Sequence, residues 1–285
     1  MLAQIIGLDH IVIAVRDLDR AADDWRRLGF TLSPRGTHSA HMGSGNYTIM
    51  FGDDYLELLG VLAPTPANTS LRDFLADREG IERAAFTARS AQAGAAELQA
   101  RGIAASEPLD FGRPVDLPDG GRGQARFRTF NWPAPENRHE LRLFACEHQT
   151  REVVWIPQLQ IHANGAQRIL RIEVIAADPA ASAARMGHLI DQMPQAGSDG
   201  SWSVPSGEQR AQFVFMSRAT LAARYPSIAI DALPDQGAAV LVLQVQDITK
   251  AAKAAGNAAP AVDETGKRVV IGPEQANGLG LVFET

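Results

Sequence analysis

A chain of 285 residues is about twice the usual length of one domain, so two domains, or one domain of repeated parts, is expected. Its 33 acidic and 27 basic residues leave a net charge of −6 with no long run of either sign, which gives nucleic acid no basic footprint. With 45% apolar and 21% charged residues the chain should fold; its start, MLAQIIGLDHIVIAV, meets a charge before the roughly 18 apolar residues of a membrane span and has no basic leader, so a cytoplasmic protein without membrane contact is expected.

HIVIAV (10–15) is short, apolar and rich in β-branched residues, which predicts a buried strand. DLDRAADDWRRLGF places Leu18, Ala21, Ala22, Trp25 and Leu28 at helical spacing, with Asp17 as N-cap and Gly29 where a left-handed C-cap belongs. Strand-like HSAHMGSGNYTIMFG and DDYLELLGV follow, completing a βαβββ unit. The unit recurs in IERAAFTARSAQAGAAELQARGI, GQARFRTFNW and HELRLFAC, where Arg101, Gly102 and Ile103 repeat Leu28, Gly29 and Phe30. A third begins at RILRIEVIAADPAASAARMGHLI with Asp178 as cap, and a fourth at AVLVLQVQDITKAAKAAGN with Asp247 as cap. The position of His10 is taken in the later units by Arg83, Arg171 and Val240, and only Glu284 matches Glu57. HQTREVVWIPQLQIHANGAQR (148–168) has no clean period and reads as a connector, giving domains at 1–150 and 151–285.

LDHIVIAVRDLDRAADDWRRLGF followed by GDDYLELLGV resembles the vicinal oxygen chelate superfamily. GTHSAHMGSGNYTIMFGDDYLELLGV, FACEHQTREVVW and HANGA make it more similar to the glyoxalase-like branch, over about residues 6 to 168. The resemblance implies an α+β fold in which repeated βαβββ modules pair into curved, cup-forming mixed sheets, here four modules in two pairs. Whether the modules pair within the chain or across a homodimer is left open. The first and last strands of a module each offer an inward ligand in that superfamily, and His10 and Glu57 match those places. Alternation sets His10 on a face with Val12 and Ala14, and Glu57 with Tyr55 and Leu59, two polar groups among apolar ones. A divalent metal ion (Zn, Ni, Mn or Fe(II)) would offset the cost of burying them.

Cys146 is the single cysteine, which excludes an internal disulfide and a Cys-rich zinc site, so a metal must use His and carboxylates. Arg83, in the ligand slot of the second module, cannot coordinate. The last strand of that module sets Phe144, Cys146 and His148 on one face, which makes His148 the expected third ligand, with Glu147 the alternative if a bulge shifts the face. The simpler readings are a hydrogen-bonded core histidine for His10, a strand-end charge for Glu57 and a loop histidine for His148.

Substrate contacts are expected from His38 and Asn46 in the Gly-rich GTHSAHMGSGN, and from Arg83 and Arg128 as forked donors, although Arg126 and Arg128 share a face that solvent could occupy. His41, His139, His162 and His188 are assigned no chemistry. G-x-S-x-G, Walker A, H-E-x-x-H and a helix-opening G-x-G-x-x-G are absent. The expectation is a metal-dependent lyase or isomerase, with Glu57 also serving in proton transfer, acting on a small oxygenated metabolite held through adjacent oxygens. The alternatives are a ferrous extradiol-type dioxygenase on the same site and a metal-free protein that sequesters a small molecule. Only 6% of residues are aromatic, and Trp25, Trp132, Trp155 and Trp202 are scattered, which speaks against a stacking cage. No second metal site is expected.

Overall fold

A computed structural model describes residues 2–117, 120–263 and 265–285. The first module consists of β1 (Ile5–Val15), α1 (Leu18–Arg27), β2 (Gly36–Thr37), β3 (Ser44–Met50) and β4 (Tyr55–Val61). After α2 (Thr69–Asp77) the second follows as β5 (Gly80–Ala88), α3 (Ala91–Ala100), β6 (Leu109–Asp116), β7 (Arg122–Asn131) and β8 (Arg142–His148). The third is β9 (Ala166–Ile175), α4 (Pro179–Ile190), β10 (Gln195–Ala196), β11 (Trp202–Pro205) and β12 (Gln212–Met216). Then come α5 (Arg218–Arg224) and the fourth: β13 (Gly237–Val245), α6 (Ile248–Ala254), β14 (Ala261–Val262), β15 (Arg268–Ile271) and β16 (Gly280–Glu284).

The module boundaries follow from local chemistry. Asp17 accepts the Arg20 N–H at 3.0 Å and starts α1, and Gly29, at φ 86°, ends the turn that follows it. Asp178 and Asp247 cap α4 and α6 in the same way. A methyl group on Gly29 would sit 2.8 Å from Cβ of Ala254, so a glycine also lets α1 seat against α6 of the second half.

Two eight-stranded sheets result, ordered β2-β3-β4-β1-β5-β8-β7-β6 and β10-β11-β12-β9-β13-β16-β15-β14. In each, two modules meet at an antiparallel pair, β1–β5 or β9–β13, flanked by parallel pairs. The modules therefore pair within the chain. In the first sheet the end strands β2 and β6 also touch, which curls it into a nearly closed cup.

Outward-facing residues of both sheets, among them Leu8, Ile13, Phe86, Ile172 and Phe213, share one core with the helices. Each such side chain contributes about 1.5–3 kcal/mol, so the halves are held by hydrophobic burial first. Polar ties add register: the Leu8 N–H donates to Ser206 Oγ (3.0 Å), the Ile169 N–H to Asp54 (3.2 Å), and Trp25 Nε1 to Asn277 Oδ1 (2.9 Å). Among the described residues no helix is long and apolar enough to cross a membrane.

The insides of the two cups differ. Leu221 of α5 and Tyr225 just after it, with Ile228 and Leu233, fill the second against Val214, Val240, Val270 and Val282. In the first, Leu71 and Leu75 of α2 cover one end against Val12, Ala14 and Leu59. Val154 and Trp155 of the connector pack with Tyr55, Phe127 and Cys146 at the other. Polar side chains lie between these two apolar plugs.

Candidate functional site

The β1–β5 ladder pairs Leu8 with Phe86 and His10 with Ala85, so Asp9 is an extra, bulged residue. The bulge brings its carboxylate beside the ring of its neighbour, with His10 Nδ1 2.7 Å from Asp9 Oδ1. Asp9 is fully buried, its Oδ2 accepts from Thr87 Oγ1 (2.8 Å), and both its oxygens lie 3.0 Å from His148 Nε2. Burial alone would raise the Asp9 pKa, but His148 and His10 outweigh it and hold the group far below the usual carboxylate range. A carboxylate only accepts, so Nδ1 of His10 carries a proton and, in the neutral ring, the Nε2 lone pair faces inward.

That nitrogen lies 3.5 Å from Glu57 Oε2, and the ring stacks on Tyr55 at 4.2 Å with the edge of Phe144 5.3 Å away. Asn46 Nδ2 donates to Glu57 Oε1 at 2.6 Å. The His10 side chain is 3% exposed and that of Glu57 12%, so Glu57 is the more exposed of the two. His38 joins it with Nδ1 2.8 Å from Ser44 Oγ. Burial lowers the His38 pKa, the Glu57 carboxylate opposes that and the Arg113 guanidinium reinforces it.

Arg113 enters from β6, where the cup closes. A methyl group on Gly36 of β2 would lie 2.1 Å from Asn46 Oδ1 and 3.0 Å from Arg113 Nη1, so only glycine lets both side chains approach. Gly36→Ala should cost about 1–3 kcal/mol as overpacking displaces them, read as a lower urea midpoint at unchanged slope; a wild-type midpoint would show that the closure has slack. Outside lies a cleft of ≈ 270 Å³ lined by Thr37, Thr48, Arg113, Val115, Val154 and Leu159, among others. Thr48 stands directly across the β3–β4 ladder from Glu57.

His10, Glu57, Asn46 and His38 are thus brought together, and the other expected residues are not. Val12 pairs with both Glu57 and Arg83, while Ala85 pairs with both His10 and Phe144. The pseudo-twofold therefore sets Arg83 in the slot of His10 and Phe144 in that of Glu57, leaving no ligand in the second module's slots. The Arg83 guanidinium binds Glu82, which also accepts from Arg142 Nη1 at 3.2 Å. His148 does face inward, but its Nε2 is taken by Asp9 and its Nδ1 is buried without a partner. Glu147 accepts the Ala91 N–H at 2.7 Å, at the start of α3. Arg128 falls outside the cup because alternation along β7 turns Ala125 and Phe127 inward; it forks onto Asp110 at 2.6 and 2.8 Å. Among the described residues no three His, Cys, Asp or Glu side chains are grouped so as to hold a metal, and the set does not fit a three-donor divalent site.

In the second sheet Val214, Val240 and Val282 occupy the corresponding slots beside Arg171. Glu284 lies one pleat beyond Val282 rather than in the slot of Glu57, and pairs with Arg171 Nη2 at 2.7 Å. Asp9 and Arg113 are the members that sequence reasoning missed.

A family model described as a glyoxalase-like domain matches residues 8–190. No curated protein matches the chain by sequence. A hypothetical protein from Staphylococcus aureus shares the fold with a TM-score of 0.67 at 12% identity, covering 97% of this chain and 98% of its own. A triple mutant of 4-hydroxymandelate synthase from Streptomyces coelicolor gives 0.60 at 13%, covering 98% and 92%. A xylose isomerase-like TIM barrel/4-hydroxyphenylpyruvate dioxygenase fusion protein gives 0.57 at 14%, covering 100% of this chain and 50% of that one. At such identities the likeness is one of fold. Four βαβββ modules paired into two curved sheets, together with a family match over more than half of its length, show that the chain belongs to the glyoxalase-like family of the vicinal oxygen chelate superfamily.

Proposed function

We propose that the first cup is the active site of a lyase- or isomerase-type enzyme that moves a proton on a small oxygenated metabolite, with Glu57 carrying the proton. The observation behind this reading is the contact chain Asp9–His10–Glu57 inside an apolar barrel, with Glu57 at its more exposed end. Among the described residues a lone pair and one amide face this carboxylate, which leaves it free to accept a proton from substrate, and His10, backed by Asp9, stabilises the protonated form. Arg113, near the same mouth, is placed to balance negative charge that develops on a substrate oxygen.

The test is exchange of carbon-bound hydrogen for deuterium in heavy water, followed by NMR across a panel of small 2-oxo and 2-hydroxy acids. Wild type should exchange at least one of them, and Glu57→Gln should lose about 100-fold of the rate while melting as wild type does. Silence across the panel, or full exchange by Glu57→Gln, would overturn the reading.

A second reading has His10 and Glu57 share a divalent ion, whether for lyase chemistry or, with ferrous iron, for a dioxygenase. One observation favours it: Asp9 occupies Nδ1 of His10, the arrangement that leaves Nε2 as a donor. Among the described residues no third donor joins them, which counts against it. Near-stoichiometric metal in protein purified without chelator, lost in both His10→Ala and Glu57→Ala, would favour this second reading over the first.

A further inference from the structure

We infer that Arg113 anchors a carboxylate of the substrate in the cleft outside Glu57, so that the metabolite is a small hydroxy-carboxylic acid; this rests on the proton-transfer reading of the same cup. Arg113 is only 9% exposed and, among the described residues, has no ion pair or hydrogen bond through its guanidinium. The arginines at the rim of the cleft differ: Arg35 is held by Asp19 at 2.9 Å and Arg122 lies 3.7 Å from Asp116. Burying an unmatched guanidinium is costly unless an anion arrives to match it. Among the described residues that line the cleft, Asp116 is the only acid and already faces Arg122, so the described lining offers Arg113 no anion.

The shape of the site narrows the class. A single planar fork, with no α-helix N-terminus in the lining, suits a carboxylate better than a phosphate. A volume of ≈ 270 Å³ lies just below the ~300–1,000 Å³ of sites for drug-sized ligands, which calls for a small metabolite. Asn46 Oδ1, buried beside the guanidinium, accepts no hydrogen bond, and a hydroxyl next to the carboxylate would supply the missing donor. Because Thr48 of this cleft stands across from Glu57, a carboxylate seated on Arg113 brings the neighbouring carbon toward that base.

Ligand-observed NMR titration of the full chain with glycolate tests this, with acetate, ethylene glycol and inorganic phosphate as the other probes. Glycolate should bind saturably and more tightly than acetate or phosphate, and ethylene glycol should not bind. Arg113→Met should weaken glycolate about tenfold or more, the loss expected for a charge-assisted fork, with Arg113→Lys in between and both variants checked by melting. Arg128→Met, at an arginine outside the cup, should bind as wild type. An absence of saturable glycolate binding, equal affinity in Arg113→Met, or tighter binding of phosphate would each overturn the assignment. Glycolate binding that depends on Arg113 in a protein without exchange activity would leave the anchor standing and sink only the proton-transfer reading.

Discussion

Asp9→Ala is expected to destabilise the protein by about 3–5 kcal/mol, the range for removing one partner of a buried charged pair. The carboxylate receives Thr87 and sits between two buried histidines, and its loss strands all three in an apolar barrel. Asp9→Asn should cost less, because its oxygen still accepts one bond while its amide opposes another donor. The pH dependence has a definite sign. The folded Asp9 pKa is depressed, so its contribution is fully present above the unfolded carboxylate value of 3.8 and is lost as pH falls toward the folded one. Urea melts at pH 7 and at pH 4 to 2 should therefore show wild type and Asp9→Ala converging in acid. A variant that melts like wild type at pH 7 would refute the account.

The opposite sign is expected at Asp54. It lies in the β3–β4 turn and accepts the Ile169 N–H at the head of β9, so it joins the two halves. Burial pushes its pKa up to about 7, against the Ile169 N–H, Arg210 and Arg168, with Asp9 adding to the rise. Between 3.8 and about 7 the folded state holds a proton that the unfolded state has released. Stability from this group is full below 3.8 and is lost as pH rises through about 7, a span worth roughly 4 kcal/mol. Asp54→Asn keeps an acceptor for Ile169 and removes the titration. It should exceed wild type in urea midpoint at pH 8 and approach it at pH 4; parallel curves would show that the carboxyl titrates normally.

The module pattern was legible because capping aspartates and left-handed glycines recur at fixed places: Asp17 with Gly29, Asp178, Asp247 and Gly102. His10 and Glu57 stood out as polar groups on apolar strands. The bulge at Asp9 left no such mark. Strict alternation puts Asp9 on the face opposite His10, and a one-residue insertion in the ladder leaves the hydrophobic pattern unchanged. Arg113 was hidden in LDFGRPVD, where Gly112 and Pro114, residues that strands disfavour, break the strand pattern although the segment forms β6. Arg128 shows the limit of periodicity: spacing pairs it with Arg126, but only the packing of Ala125 and Phe127 decides which face is inside. His148 was assigned to the inner face from its spacing, and its pairing with Asp9 follows from that unmarked bulge.

The stretch joining the two sheets is also a wall of the first cup. Trp155 packs 4.8 Å from His148 and 5.5 Å from Tyr55, with Arg151 stacked 3.5 Å over its indole. Interdomain segments usually tolerate insertions, because lengthening a loop adds little entropy cost. Here an added residue near 153–156 would shift Trp155 along the wall and uncover the histidines, so this joint has lost the freedom that linkers ordinarily have to drift in length.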